Sequence, residues 1–115
     1  MRGIIWYRDD ANKGIGMLKQ VVLDYALVNI EPSYCNYSKS NAYVTFENGD
    51  KWSVLGARHS SRGAASNIAY IERSIDYDTY RTIILPTVKN YPFRAIHLWG
   101  EGNLHITDEV QLFPF

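Results

Sequence analysis

The residues of this chain best suited to chemistry stand together in Arg58-His59-Ser60-Ser61-Arg62-Gly63. Guanidinium groups, an imidazole and hydroxyls in a glycine-containing loop can hold a phosphate or carboxylate through bidentate arginine forks and loop N–H groups. Arg73 can join them from just beyond the next apolar run. Glu72 closes that run, Ile68-Ala69-Tyr70-Ile71, where a carboxylate is placed to act as a general base if partial burial raises its pKa. A plainer arrangement uses the same residues: a solvated loop whose arginines pair with Glu72, Asp76 or Asp78. The remaining chemical groups offer less. His97 and His105 could face one another across a hairpin, but no third ligand stands at a suitable spacing, so no metal site is expected. His59 beside Ser60 and Ser61 lacks the Gly-x-Ser-x-Gly setting of a hydrolase nucleophile. Cys35 has no positive neighbour before Lys39 to favour its thiolate and reads as a structural thiol.

These side chains must be positioned by a small set of strands and helices. Gly3 to Tyr7 is a continuous apolar run, the pattern of a strand buried on both faces of a parallel sheet. Asp10 can cap a helix along which Leu18, Val21, Val22 and Tyr25 recur at helical spacing. Gly14 and Gly16 weaken its first turn, so its start is expected near Met17, and it must end before Glu31-Pro32. Tyr34 to Asn41 reads as an edge strand and loop. Two alternating runs, 42–46 and 51–55, flank Glu47-Asn48-Gly49-Asp50, and Asn-Gly supplies the positive φ of a tight hairpin. Gly56 to Asn67 reads as a loop or short helix and Ile68 to Glu72 as a short buried strand. Asp76 or Asp78 can cap a second helix through Tyr80, Ile83, Ile84 and Val88, kinked or shortened by Pro86. Phe93 to Trp99 and Leu104 to Leu112 complete the strands, with a turn at Gly100-Glu101-Gly102-Asn103 between them. Strands alternating with helices imply a single α/β domain over residues 1–115, its sheet mainly parallel or mixed, with an antiparallel hairpin and two main helices.

Within that order, the run Phe46-Glu47-Asn48-Gly49-Asp50-Lys51-Trp52, the loop Ser60-Ser61-Arg62-Gly63 and the strand Asn67-Ile68-Ala69-Tyr70-Ile71-Glu72 resemble the ATPase domain of phage large terminases, the DNA-packaging motors. In that family a hairpin and an Arg-Gly loop precede a hydrophobic strand ending in the Asp-Glu that coordinates magnesium and activates water. The late proline of the following helix has its counterpart in Leu85-Pro86-Thr87. The departures are chemical. No Gly-x-x-x-x-Gly-Lys-Ser/Thr occurs in the chain, and Ile71 stands where the family has its magnesium-binding aspartate. Phosphoryl transfer relies on metal and lysine to neutralise developing charge. The resemblance therefore implies a degenerate or truncated relative with the fold and without the catalytic groups.

Composition narrows the partners. Twelve Lys and Arg balance twelve Asp and Glu, so no overall positive field gathers nucleic acid, and such a role needs a local basic patch. A lone cysteine fits a reducing compartment, and no apolar run is long enough to span a bilayer. The expected setting is the cytoplasm, that of a host if the chain is phage-encoded. Nine tyrosines and three tryptophans favour interfaces as well as core, so a homo-oligomer is one expected arrangement. Aromatics interleaved with cations, Trp6-Tyr7-Arg8 and Tyr34 to Lys39 among them, could stack single-stranded bases. The expected function is that of a non-catalytic, phage-derived binding module, an accessory factor or inhibitor without a cofactor. It would engage a nucleic acid, a phosphate group or a protein through Arg58–Gly63. The alternative is a small nucleotide-dependent hydrolase using ATP and magnesium, with Glu72 as base, Arg62 clamping phosphate and missing parts supplied by another subunit.

Overall fold

The computed structural model describes residues 1–58, 64–89 and 94–106. The chain runs through β1 (Arg2–Tyr7), α1 (Ala11–Ala26), β2 (Pro32–Asn36), β3 (Tyr43–Phe46), β4 (Lys51–Gly56), β5 (Ile68–Glu72), α2 (Tyr77–Thr79) and β6 (Ala95–Trp99). A π turn, Tyr80–Ile84, and a 3-10 turn, Leu85–Thr87, prolong α2. The strands form one six-stranded sheet in the order β2-β3-β4-β1-β5-β6. Pairing is parallel for β4-β1, β1-β5 and β5-β6, and antiparallel for β2-β3 and β3-β4. This is the small α/β fold that the alternation of strands and helices predicts.

β1 is central because both its faces are apolar. Ile4 and Trp6 enter one core with Ala69, Ile71, Ile84 and Ile96, beneath α2 and its continuation. Ile5 and Tyr7 enter the other with Leu18, Val21, Val44 and Trp52, beneath α1. Trp6, Ile5, Leu18 and Ile84 are wholly buried, each worth about 1.5–3 kcal/mol of transfer free energy. The β3–β4 hairpin turns at Asn48-Gly49, with Gly49 at φ 92° and the Asn48 side chain accepting the Asp50 N–H at 3.0 Å.

Several boundaries differ from the sequence expectation, each for a physical reason. Helix α1 begins at Ala11, not near Met17, because Asp10 caps it and accepts the Asn12 N–H at 2.9 Å. Gly14 is a packing device as well: a Cβ there would lie 2.6 Å from Val54 Cγ1, so its absence lets the helix seat on β4 and β1. The second helix is π- and 3-10-wound rather than regular, with Pro86 in the final 3-10 turn. Leu104 to Ile106, expected to open a strand, are not strand, and residues 107–112 of that expected strand lie outside the described residues. So do residues 59–63 of the expected loop and Phe93.

Gly14 and Gly16 are expected to answer substitution with opposite signs. Gly14→Ala should destabilise by about 1–3 kcal/mol through overpacking. Gly16→Ala meets nothing within 4 Å and should stabilise by up to about 1 kcal/mol through helix propensity. Urea denaturation of the two variants checks both signs.

Candidate functional site at the carboxyl ends of the strands

The loops after β1 and β5 leave neighbouring parallel strands for opposite faces of the sheet, one into α1 and the other into α2. Such a divergence opens a crevice at the carboxyl ends of the strands, the usual ligand position in open α/β sheets. Here the crevice adjoins a cavity of about 570 Å³ lined by Arg8, Arg73, Ser74, Asp76, Tyr77 and His105 among others.

Glu72 organises this edge. It is buried at 4% exposure, yet its Oε1 accepts the Arg8 N–H at 2.9 Å and its Oε2 faces the Lys13 ammonium at 3.9 Å. The carboxylate thus ties the end of β5 to the β1–α1 loop. Lys13 is largely exposed, so its ion pair adds little, and the part-buried N–H bond is the stronger tie. Arg73 is turned inward along the neighbouring strand: its N–H donates to Trp99 O and its guanidinium to Gly100 O, at 2.8 and 2.9 Å. The turn after β6 fits against it because Gly102 has no side chain; a Cβ there would lie 2.1 Å from Arg73 O. Arg8 reaches Ser74 O at 3.4 Å and Asp9 at 3.6 Å. Asp76 accepts the N–H and hydroxyl of Thr79, and these bonds hold its carboxyl below the ordinary carboxylate value of 3.8.

Of the residues singled out in the sequence, Arg58 and Arg73 fall on this one edge, at the ends of β4 and β5. The Arg58 side chain folds back over Gly56: its Nε lies 3.0 Å, and Tyr7 Cζ 3.3 Å, from where a Cβ on Gly56 would be. His59, Ser60, Ser61, Arg62 and Gly63 lie outside the described residues. Arg8, named in the sequence only beside the aromatics Trp6 and Tyr7, stands at this edge with Lys13, which sequence reasoning missed as a site group. His97 and His105 do not meet as expected: His97 packs edge-on against Tyr70, whereas His105 lines the cavity. Trp6 and Tyr7, named as stacking aromatics, are core residues. Tyr34 and Tyr37 of the same expectation are exposed, Tyr34 stacked on Tyr43 and Lys19 lying over Tyr37. Cys35 is free and exposed on edge strand β2.

No protein-family model matches the chain, and neither a curated protein nor a solved structure is similar to it. No helix among the described residues is long and apolar enough to cross a membrane.

Glu72→Ala is expected to cost about 1 kcal/mol of stability, because it strips the part-buried Arg8 N–H of its acceptor. Glu72→Gln keeps that acceptor and should cost less, as denaturant midpoints of the two variants will register. Asp76 should show a pH signature. Its folded pKa lies below 3.8, so its contribution is complete above that value and fades as pH falls through the lowered folded value. The difference in thermal midpoint between wild type and Asp76→Ala should therefore narrow in acid below pH 3.8.

Proposed function

We propose that this chain is a non-catalytic binding module that receives a phosphate-bearing ligand, foremost a nucleic-acid strand, at the carboxyl-end edge of its sheet. The observation that carries this reading is the convergence of Arg8, Lys13, Arg58 and Arg73 on that edge, from the ends of β1, β4 and β5 and the first turn of α1. They surround the switch-point crevice, where both helices also begin. Asp10 and Asp76 are taken up in capping, Asp9 pairs with Arg8, and Lys13 and Arg58 are exposed at this edge. The stretch from His59 to Gly63 adds an imidazole, hydroxyls and Arg62 directly after Arg58. The resemblance to terminase ATPase domains supports the same reading, that of a phage-derived relative acting in the cytoplasm as an accessory factor or inhibitor.

ATP and magnesium, which that resemblance would bring, do not fit the residues present. Ile71, at the position of the metal-binding aspartate, is wholly buried in the core. Glu72 is already engaged by Arg8 and Lys13, and no group of three His, Cys, Asp or Glu among the described residues could hold a metal. These contacts support reading Glu72 as a strut between the two loops.

Fluorescence anisotropy with labelled single- and double-stranded DNA tests the reading. Affinity should fall steeply with salt, and the Lys13→Ala, Arg58→Ala double variant should lower the slope of log K against log salt by roughly 1.4–1.8. A flat salt dependence, or full affinity in the double variant, overturns it. A rise of several degrees in thermal midpoint with ATP and magnesium would instead favour the hydrolase.

A further inference from the structure

A cavity of about 620 Å³ lies at the other end of the sheet, beside the second half of α1. Its walls are aromatic. Trp52 and Tyr70 meet edge-on at 4.9 Å between centroids, Tyr70 and His97 at 5.1 Å, and Tyr25 stacks on Phe46 behind them. Val21 and Ile68 add aliphatic surface, and the exposed side chains of Leu27 and Val28 stand at its lip.

Among the described lining residues the charged groups are the carboxylates of Asp24 and Asp50 and the Met1 ammonium on Asp50, with no lysine or arginine. The C-terminal carbonyls of α1 add the negative end of a 16-residue helix whose last turn carries no basic residue. Asp24 in that turn stands against the helix dipole, a placement that costs stability and calls for a cation nearby. The two carboxylates differ in what answers them. Asp50 accepts the Tyr25 hydroxyl at 2.7 Å and the Asn48 amide at 3.1 Å, and pairs with the Met1 ammonium at 3.2 Å. Asp24 takes the Gln20 amide at 3.0 Å. Burial, and secondly the charge of Asp24, hold the Tyr70 hydroxyl above its ordinary value of 10.0, so Tyr70 stays a neutral donor with a π face beside a carboxylate. The Tyr25 hydroxyl is raised too, chiefly by burial.

We propose that this cavity binds a small organic cation, an alkylammonium whose charge lies between Asp24 and the Tyr70 ring and whose aliphatic body rests on Val21, Ile68 and Trp52. The aromatic faces attract a cation through their quadrupoles, and a partly desolvated ammonium gains more from them than an exposed one. An anion would meet two carboxylates and a helix C-terminus. A hydrated metal ion would meet too few oxygen ligands for the apolar wall it displaces. The Met1 ammonium on Asp50 already shows the preferred sign of charge.

Pentylammonium, pentanol and pentanoate, matched in shape and different in charge, provide the test by isothermal titration and by NMR of the aromatic protons. Pentylammonium should bind saturably and shift the Tyr70 and Trp52 resonances, with pentanol and pentanoate at least about tenfold weaker. Asp24→Asn should weaken pentylammonium about tenfold without lowering the thermal midpoint, whereas Asp9→Asn, at the opposite end of the sheet, should leave binding unchanged. Nα-acetyl-lysine amide beside the free amine assigns the source: tighter binding of the amine points to a metabolite, tighter binding of the amide to a protein side chain, and either supports the site. Pentanol binding as well as pentylammonium, unaltered affinity in Asp24→Asn, or no saturable binding overturns the proposal.

Discussion

The fold rests on one strand that must be buried on both sides. β1 sends Ile4 and Trp6 into one core and Ile5 and Tyr7 into the other, so neither face can be left to water. A sheet carrying such a strand needs a helix on each face. The two helices must then leave neighbouring strands in opposite directions, and the crevice at the carboxyl ends is the geometric remainder. Glu72 closes the argument at atomic scale, for its carboxylate joins the two diverging loops by accepting the Arg8 N–H. The crevice at this edge is thus a by-product of how β1 is covered.

Two helices do not suffice for six strands. Each covers about half a face, and the uncovered halves differ in kind. Beyond α2, the open surface of β3 and β4 presents Tyr43, Thr45 and Ser53, with Lys51 over the Tyr43 ring at 4.9 Å. Beyond α1, the open surface of β5 and β6 presents Tyr70, His97 and Trp99, half-buried and aromatic. The first is content in water. Of the second surface, Tyr70 and His97 line the 620 Å³ cavity.

Much of this was legible in the sequence where a residue acts locally. Asp10 and Asp76 announce their helices, Asn48-Gly49 its hairpin, and the apolar run of β1 its two-sided burial. What the sequence hid depends on distant partners. Gly14 reads as a helix breaker until Val54 is found beneath it, and the partners of Glu72, expected to be Arg62 or Arg73, are the Arg8 N–H and Lys13. The candidate site was legible in part: Arg58 and Arg73 follow apolar strands, but only the strand order brings Arg8 and Lys13 beside them. The cavity at the opposite end had no sequence signal, because Asp24 and Tyr70 become neighbours only after α1 is laid across the sheet.

The register of β1 has a consequence in time. Arg2 pairs with Lys51, and Gly3 pairs with both Trp52 and Ile68, so β1 has no neighbour in the sheet until β4 is made. The β2–β3–β4 meander, by contrast, can form from contiguous chain. Contacts so remote in sequence slow folding and leave apolar edges open while it proceeds. The central strand therefore precedes both of its partners in the chain and is completed only once β4 and β5 have been made.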